Sequence, residues 1–146
     1  MAFAGMNYVA IVIAAIAGWL VGAIWYGLFA RVWVIALGST MEEFKAKQAA
    51  LKGSPRALVP FVLAFVADMV MAWILAGVLG HLGPGQVTLR NGIISAAFLW
   101  FGFILTTMAV NNAFAGRKYT LTAIDAGHWL AVLVVMGAII GGFGVR

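Results

Sequence analysis

Four stretches of this chain, residues 1–30, 57–89, 91–116 and 119–145, contain no lysine or arginine. Each exceeds the roughly 20 apolar residues that carry a helix across a bilayer. They take up most of the 146 residues, and only 9% of the chain is charged, against roughly a quarter in soluble domains. Too little chain remains outside them to fold a separate soluble domain. The expected architecture is therefore all-α: an integral membrane four-helix bundle forming a single transmembrane domain over residues 1–146. Spans are expected at about 7–29, 58–80, 92–113 and 121–141.

The chain has no cysteine, which removes disulfides, thiolate metal sites and cysteine nucleophiles together. The first apolar stretch lacks a preceding basic residue and is longer than a signal-peptide core, so it reads as a retained helix. Nine basic residues set orientation. Arg31, Lys45, Lys47, Lys52 and Arg56 fall in the first loop and Arg117 and Lys118 in the third, with Arg90 and Arg146 on the other side. The positive-inside rule puts loops 1 and 3 in the cytoplasm and both termini in the periplasm, which places the chain in a bacterial inner membrane. So strong a bias also argues against insertion in both orientations. The basic residues flank a membrane and do not cover a compact fold, so nucleic acid is not an expected partner, whereas membrane lipids are.

In loop 1, Thr40 and Glu43 have the spacing of a capping box, and Gly53 with Ser54-Pro55 supplies a stop. A short amphipathic helix is expected there, resting Met41, Phe44 and Leu51 on lipid. The run His81-Leu82-Gly83-Pro84-Gly85 ends the second span, and Gly116 before Arg117 and Lys118 ends the third.

Small residues recur every fourth position at Ala10, Ala14, Gly18 and Gly22, and again at Gly137 and Gly141. Such stripes let helix backbones approach closely in lipid. The second span has the same rhythm at Ala64, Asp68, Ala72, Ala76 and Gly80. One bundle need not use both stripes internally, so a homo-oligomer is expected. Asp68 stands on the small-residue face near mid-membrane and must meet a partner, water or a cavity. It reads either as a proton or cation site or as an acid bonded to a neighbouring helix.

A second polar group gathers where the third and fourth spans meet: Thr106, Thr107, Asn111 and Asn112 on one, Thr120, Thr122, Asp125 and His128 on the other. Asp125 and His128 are three apart, on one helical face, so a direct pair that relays protons is available. Alternatively, Thr122 caps the helix and Asp125 anchors its first turn. No His or carboxylate cluster has metal-ligand spacing, no glycine loop suits a nucleotide, and Ser39, Ser54 and Ser95 lack a neighbouring base. Neither a metal, a cofactor nor an enzymatic activity is expected.

Several strings occur together in order: Asn7-Tyr8, Gly22-Ala23-Ile24-Trp25-Tyr26, Asn111-Asn112-Ala113-Phe114-Ala115-Gly116-Arg117, Ile124-Asp125-Ala126-Gly127-His128, and Met136-Gly137-Ala138-Ile139-Ile140-Gly141. The chain in this respect resembles the bacterial membrane-protein family catalogued as domain of unknown function 1761. The resemblance implies a compact four-helix membrane protein and no particular activity. Its members often carry Asn at the position of Asp125, Tyr at that of His128 and small apolar residues around Asp68. It therefore implies that a shared site is built on Asn111, Asn112, Trp25, Tyr26 and Arg117, in a polar pocket between the first, third and fourth spans. The leading functional expectation is permeation or transport of a proton or small solute through an oligomeric bundle. The alternative is a structural or lipid-binding membrane component without transport.

Overall fold

A computed structural model describes residues 2–145. Arg146, counted above among the charges opposite loops 1 and 3, lies outside them. The helices are α1 (Tyr8–Ala36), α2 (Met41–Leu51), α3 (Val59–His81), α4 (Leu89–Leu99), α5 (Thr106–Phe114) and α6 (Tyr119–Phe143). A 3-10 turn, Pro55–Ala57, leads into α3, and a π-helical turn, Trp100–Leu105, joins α4 to α5. Four segments are long and apolar enough to cross a membrane: α1, Pro55–His81, Leu89–Phe114 and α6. The chain is a four-span membrane protein.

α1 ends seven residues later than expected. Arg31 reads as the edge of the membrane, yet a long basic side chain reaches the headgroups from within a helix, so the helix need not end there. At 29 residues it is about 43 Å long at 1.5 Å per residue, against a hydrocarbon core of about 30 Å. Its last turns therefore stand beyond the core and meet α2. The capping box that starts α2 is formed: Glu43 N–H donates to Thr40 Oγ1 at 3.2 Å and Thr40 N–H donates to Glu43 Oε2 at 3.1 Å. Ser39 Oγ donates to the same carboxylate oxygen at 2.9 Å. Phe44 packs edge-on against Trp33 of α1, ring centroids 6.0 Å apart, so it is not the simple lipid contact expected of it.

α6 is the hub. It is the most buried span, and the third span is the least. Lipid supplies little hydrophobic force between helices, so closeness of approach decides which faces meet. A Cβ on Gly92 would collide with the Gly137 carbonyl, one on Gly137 with the Gly92 carbonyl, and one on Gly141 with the Thr88 carbonyl. Backbone thus lies on backbone where α4 crosses α6. Gly18 of α1 faces Val132 and Met136, and Gly22 faces His128. On α3, Asp68, Ala72, Ala76 and Gly80 are all buried, with Phe3 and the Gly5 carbonyl over Gly80. Both stripes consequently face helices of the same chain, and the inference of a homo-oligomer loses the support drawn from them. Leu75, Leu79, Val132, Met136 and Ile140 fill the core between α1, α3 and α6.

The third span leaves this arrangement half-way. α4 buries Gly92 and Ala96, whereas α5 buries nothing, and Phe101, Phe103 and Phe114 are exposed. Between them Thr106 Oγ1 donates to the Gly102 carbonyl at 2.7 Å, a side-chain bond of the kind that bends helices. The π turn is absent from the sequence expectation of one regular helix; Gly102 inside an apolar run followed by two threonines is its only local sign.

Gly137→Val should disrupt the α4–α6 crossing because the obstacle is a carbonyl and not a movable side chain. Overpacking costs about 1–3 kcal/mol or more, so thermal unfolding in detergent should shift down clearly. Gly27→Ala, where an added Cβ meets open space, should leave the transition unchanged or slightly raised. A second expectation concerns α2. The Thr40 N–H, with the Ser39 hydroxyl and Lys47, holds the Glu43 carboxyl below its ordinary value. A lowered folded value stabilises above the ordinary carboxyl range and is lost as pH falls through it. Amide exchange in α2, corrected for intrinsic rates, should be flat from neutrality down to about pH 5 and accelerate only below about 4.3.

Candidate functional site

The polar end of the bundle is built around the second turn of α6. The turn before α6 reverses at Gly116, whose φ of +64° suits a residue without a side chain. Asn112 Nδ2 of α5 then donates to Thr122 Oγ1 at 2.9 Å and closes the turn. α6 begins at Tyr119 with Lys118 as N-cap, so Thr122 is not the cap and Asp125 lies beyond the first turn. The capping alternative for Asp125 is thereby corrected: the helix starts earlier, and the carboxylate points to another helix.

Four aromatic donors reach three consecutive residues. Trp25 Nε1 donates to the Ile124 carbonyl at 3.1 Å, and Trp100 Nε1 to the Ala126 carbonyl at 2.7 Å. Tyr26 Oη and Trp33 Nε1 both donate to Asp125 Oδ1, at 2.7 and 3.0 Å. An indole or phenol donor away from water needs an acceptor, and a helical carbonyl keeps a second lone pair to offer one. Tyr26 and Trp33 are two turns apart on one face of α1, which is why one carboxylate oxygen serves both. Gly127 makes room for this arrangement, since a Cβ there would lie 3.0 Å from the Trp25 ring.

His128 and Asp125 share no hydrogen bond; Tyr26 touches both, its hydroxyl on Asp125 and its ring 4.9 Å from the imidazole. The expected direct relay pair is therefore replaced by a tyrosine between them. Trp129 lies on another side of the imidazole at 4.6 Å, and Gly22 admits Nε2. One turn further along α1, Gly18 lies against the Asp68 carboxyl, beside Val132 and Met136. Asp68 is 3% and His128 7% exposed. His128 Nδ1 and Asp68 Oδ1 have no hydrogen-bond partner among the described residues.

The residues singled out in the sequence thus divide. Trp25, Tyr26, Asp125 and His128 come together, Asn112 fastens the adjoining turn, and Asp68 continues the same α1–α6 seam deeper in the bundle. Asn111 and Arg117 are exposed, and the structure does not bring their side chains into the cluster. Trp33, Trp100 and Gly127 belong to it and were not singled out. Their partners lie 92 and 26 residues away for the two indoles, beyond the reach of local spacing.

The family model described as a protein of unknown function (DUF1761) matches residues 9–141. The chain belongs to this family. No curated protein and no solved structure matches it. The DUF1761 match contains the whole aromatic clasp on α6, together with the partnerless Asp68 and His128 atoms and the glycine crossing.

Replacing Asp125 separates charge from hydrogen bonding in this DUF1761 chain. Asp125→Asn keeps an oxygen acceptor for Tyr26 and Trp33 and should unfold within a few degrees of the wild type. Asp125→Leu strands both donors, at about 1–3 kcal/mol for each group left unpaired, and should unfold markedly earlier. Thermal unfolding in one detergent, with tryptophan emission as the probe, distinguishes the two.

Proposed function

We propose that this protein passes protons, or a small solute exchanged with them, across the membrane along the seam between α1 and α6. The observation that carries this reading is the succession of ionisable side chains along one interface. Asp125 bonded to Tyr26, then His128 against Gly22, then the α3 carboxyl of Asp68 against Gly18 follow each other at successive levels, and two of their buried polar atoms lack partners among the described residues. Asp125 and Val132, which flanks Asp68, are seven residues apart, about 10 Å along α6. Intramembrane ionisable groups are costly and cluster on ion and proton routes. By the positive-inside rule the Asp125 end opens to the cytoplasm, and the chain termini face the opposite side.

A second reading draws on the tight contacts at Gly18 and Gly22, which close the same seam. In that reading the polar groups only lock helices together, and the protein is a structural or lipid-binding component.

The test is proton flux into liposomes under an imposed potential, followed with a trapped pH dye. Wild type should acidify the lumen faster than protein-free liposomes. Asp68→Asn should lose about tenfold or more of that rate while its thermal unfolding stays close to wild type, and Tyr26→Phe should slow it. Equal rates for wild type, Asp68→Asn and protein-free liposomes would overturn the proton path and favour the structural reading.

A further inference from the structure

α1 projects past the hydrocarbon core and the α5–α6 turn comes back against it, leaving between them a groove of about 230 Å³. Val32, Ile35, Ala36, Lys118 and Thr120 line it. One wall is thus aliphatic, and the other carries an ammonium and a hydroxyl. Lys118 is held in place: its Nζ donates to the Ile35 carbonyl at 3.2 Å, at the carbonyl end of α1. An ammonium has three donors, so two remain for a ligand. Arg31, one turn before Ile35 on α1, and Arg117, next to Lys118 in sequence, are exposed.

The charges at this end do not cancel one another. Seven basic residues stand in or beside loops 1 and 3. Against them stand three carboxylates, Glu42, Glu43 and Asp125, so this end keeps a net positive charge. A groove with an aliphatic wall and a fixed ammonium, at a basic end of the bundle and at the depth where α1 leaves the core, fits one class of occupant. We infer that this groove seats an anionic phospholipid, its phosphate at Lys118 and Thr120 and its glycerol and upper acyl carbons along Val32 and Ile35. Basic pockets between helices near the headgroup level recognise such lipids by this combination.

The probe is phosphatidylglycerol. Protein is equilibrated in vesicles containing phosphatidylcholine and phosphatidylglycerol, extracted in mild detergent and examined by native mass spectrometry for retained lipid. Wild type should keep one phosphatidylglycerol in preference to phosphatidylcholine. Lys118→Gln should lower that retention about fivefold, the effect of removing one cation near an anionic headgroup, and Lys118→Arg should restore most of it. Val32→Trp, which fills the groove without altering charge, should also abolish retention. Triple replacement of Lys45, Lys47 and Lys52 by Gln should not. Equal retention of both lipids, loss only in the triple variant, or equal displacement of the lipid by millimolar inorganic phosphate would overturn the assignment. The first outcome denies selectivity, the second makes the attraction a diffuse property of α2, and the third makes the site one for free phosphate.

Discussion

Between helices immersed in lipid there is no water to expel, and attraction depends on how many atoms come within van der Waals range. In this protein that condition is met most fully on α6. Its glycines at 137 and 141 receive the backbone of α4 and the turn before it, while α1 presents Gly18 to the Val132–Met136 face. Every other span takes its position from contact with this helix, directly or through the core between α1 and α3. A helix used on so many sides needs glycine where another backbone crosses it, at Gly137 and Gly141, and large residues such as Val132, Met136 and Ile140 where it faces the core. That division lets the other three spans pack against it.

The same closeness shapes the polar end. Gly22 and Gly127 are open places into which an imidazole and an indole are received, and without them neither His128 nor Trp25 would lie where it does. The aromatic donors then convert proximity into orientation: indole and phenol hydrogens hold the Ile124–Ala126 segment from α1 on one side and from the third span on the other. Asp125 has no need of a basic partner under these conditions, because two neutral donors satisfy one of its oxygens. A carboxamide oxygen offers the same two donors an acceptor, so Asn suits the geometry of this position as well.

Much of this was legible from residue spacing. Apolar stretches between basic residues locate four spans, since the requirement for about 20 apolar residues is set by bilayer thickness. The Thr40–Glu43 box and the Gly116 stop are local chemistry and read directly. The four-residue stripes identify packing faces but not what they pack on. Gly92, the counterpart of Gly137, has only Ala96 at the same spacing, too short a step to stand out as a stripe. Arg31 misleads about the end of α1 because its charge is visible in the sequence and its reach is not. Neither Trp33 nor Trp100 is legible as a clasp donor, since nothing local reveals an acceptor on a helix that comes much later in the chain. Asn111 and Arg117 share a motif with Asn112, yet only Asn112 turns toward α6.

The π turn at Trp100–Leu105 bears on how this third span is constrained. Adding one residue to a helix rotates everything that follows by about 100°. The angular phase of α5 is therefore offset from the one that α4 alone would have given it, although the two form one continuous span. Close approach at Gly92 and Ala96 dictates where α4 faces, and the offset decides where Asn112 then points. In a regular helix these contacts would have to lie on one stripe. With a step in phase between them, the face that suits the glycine crossing and the face that suits the Asn112–Thr122 contact need not coincide.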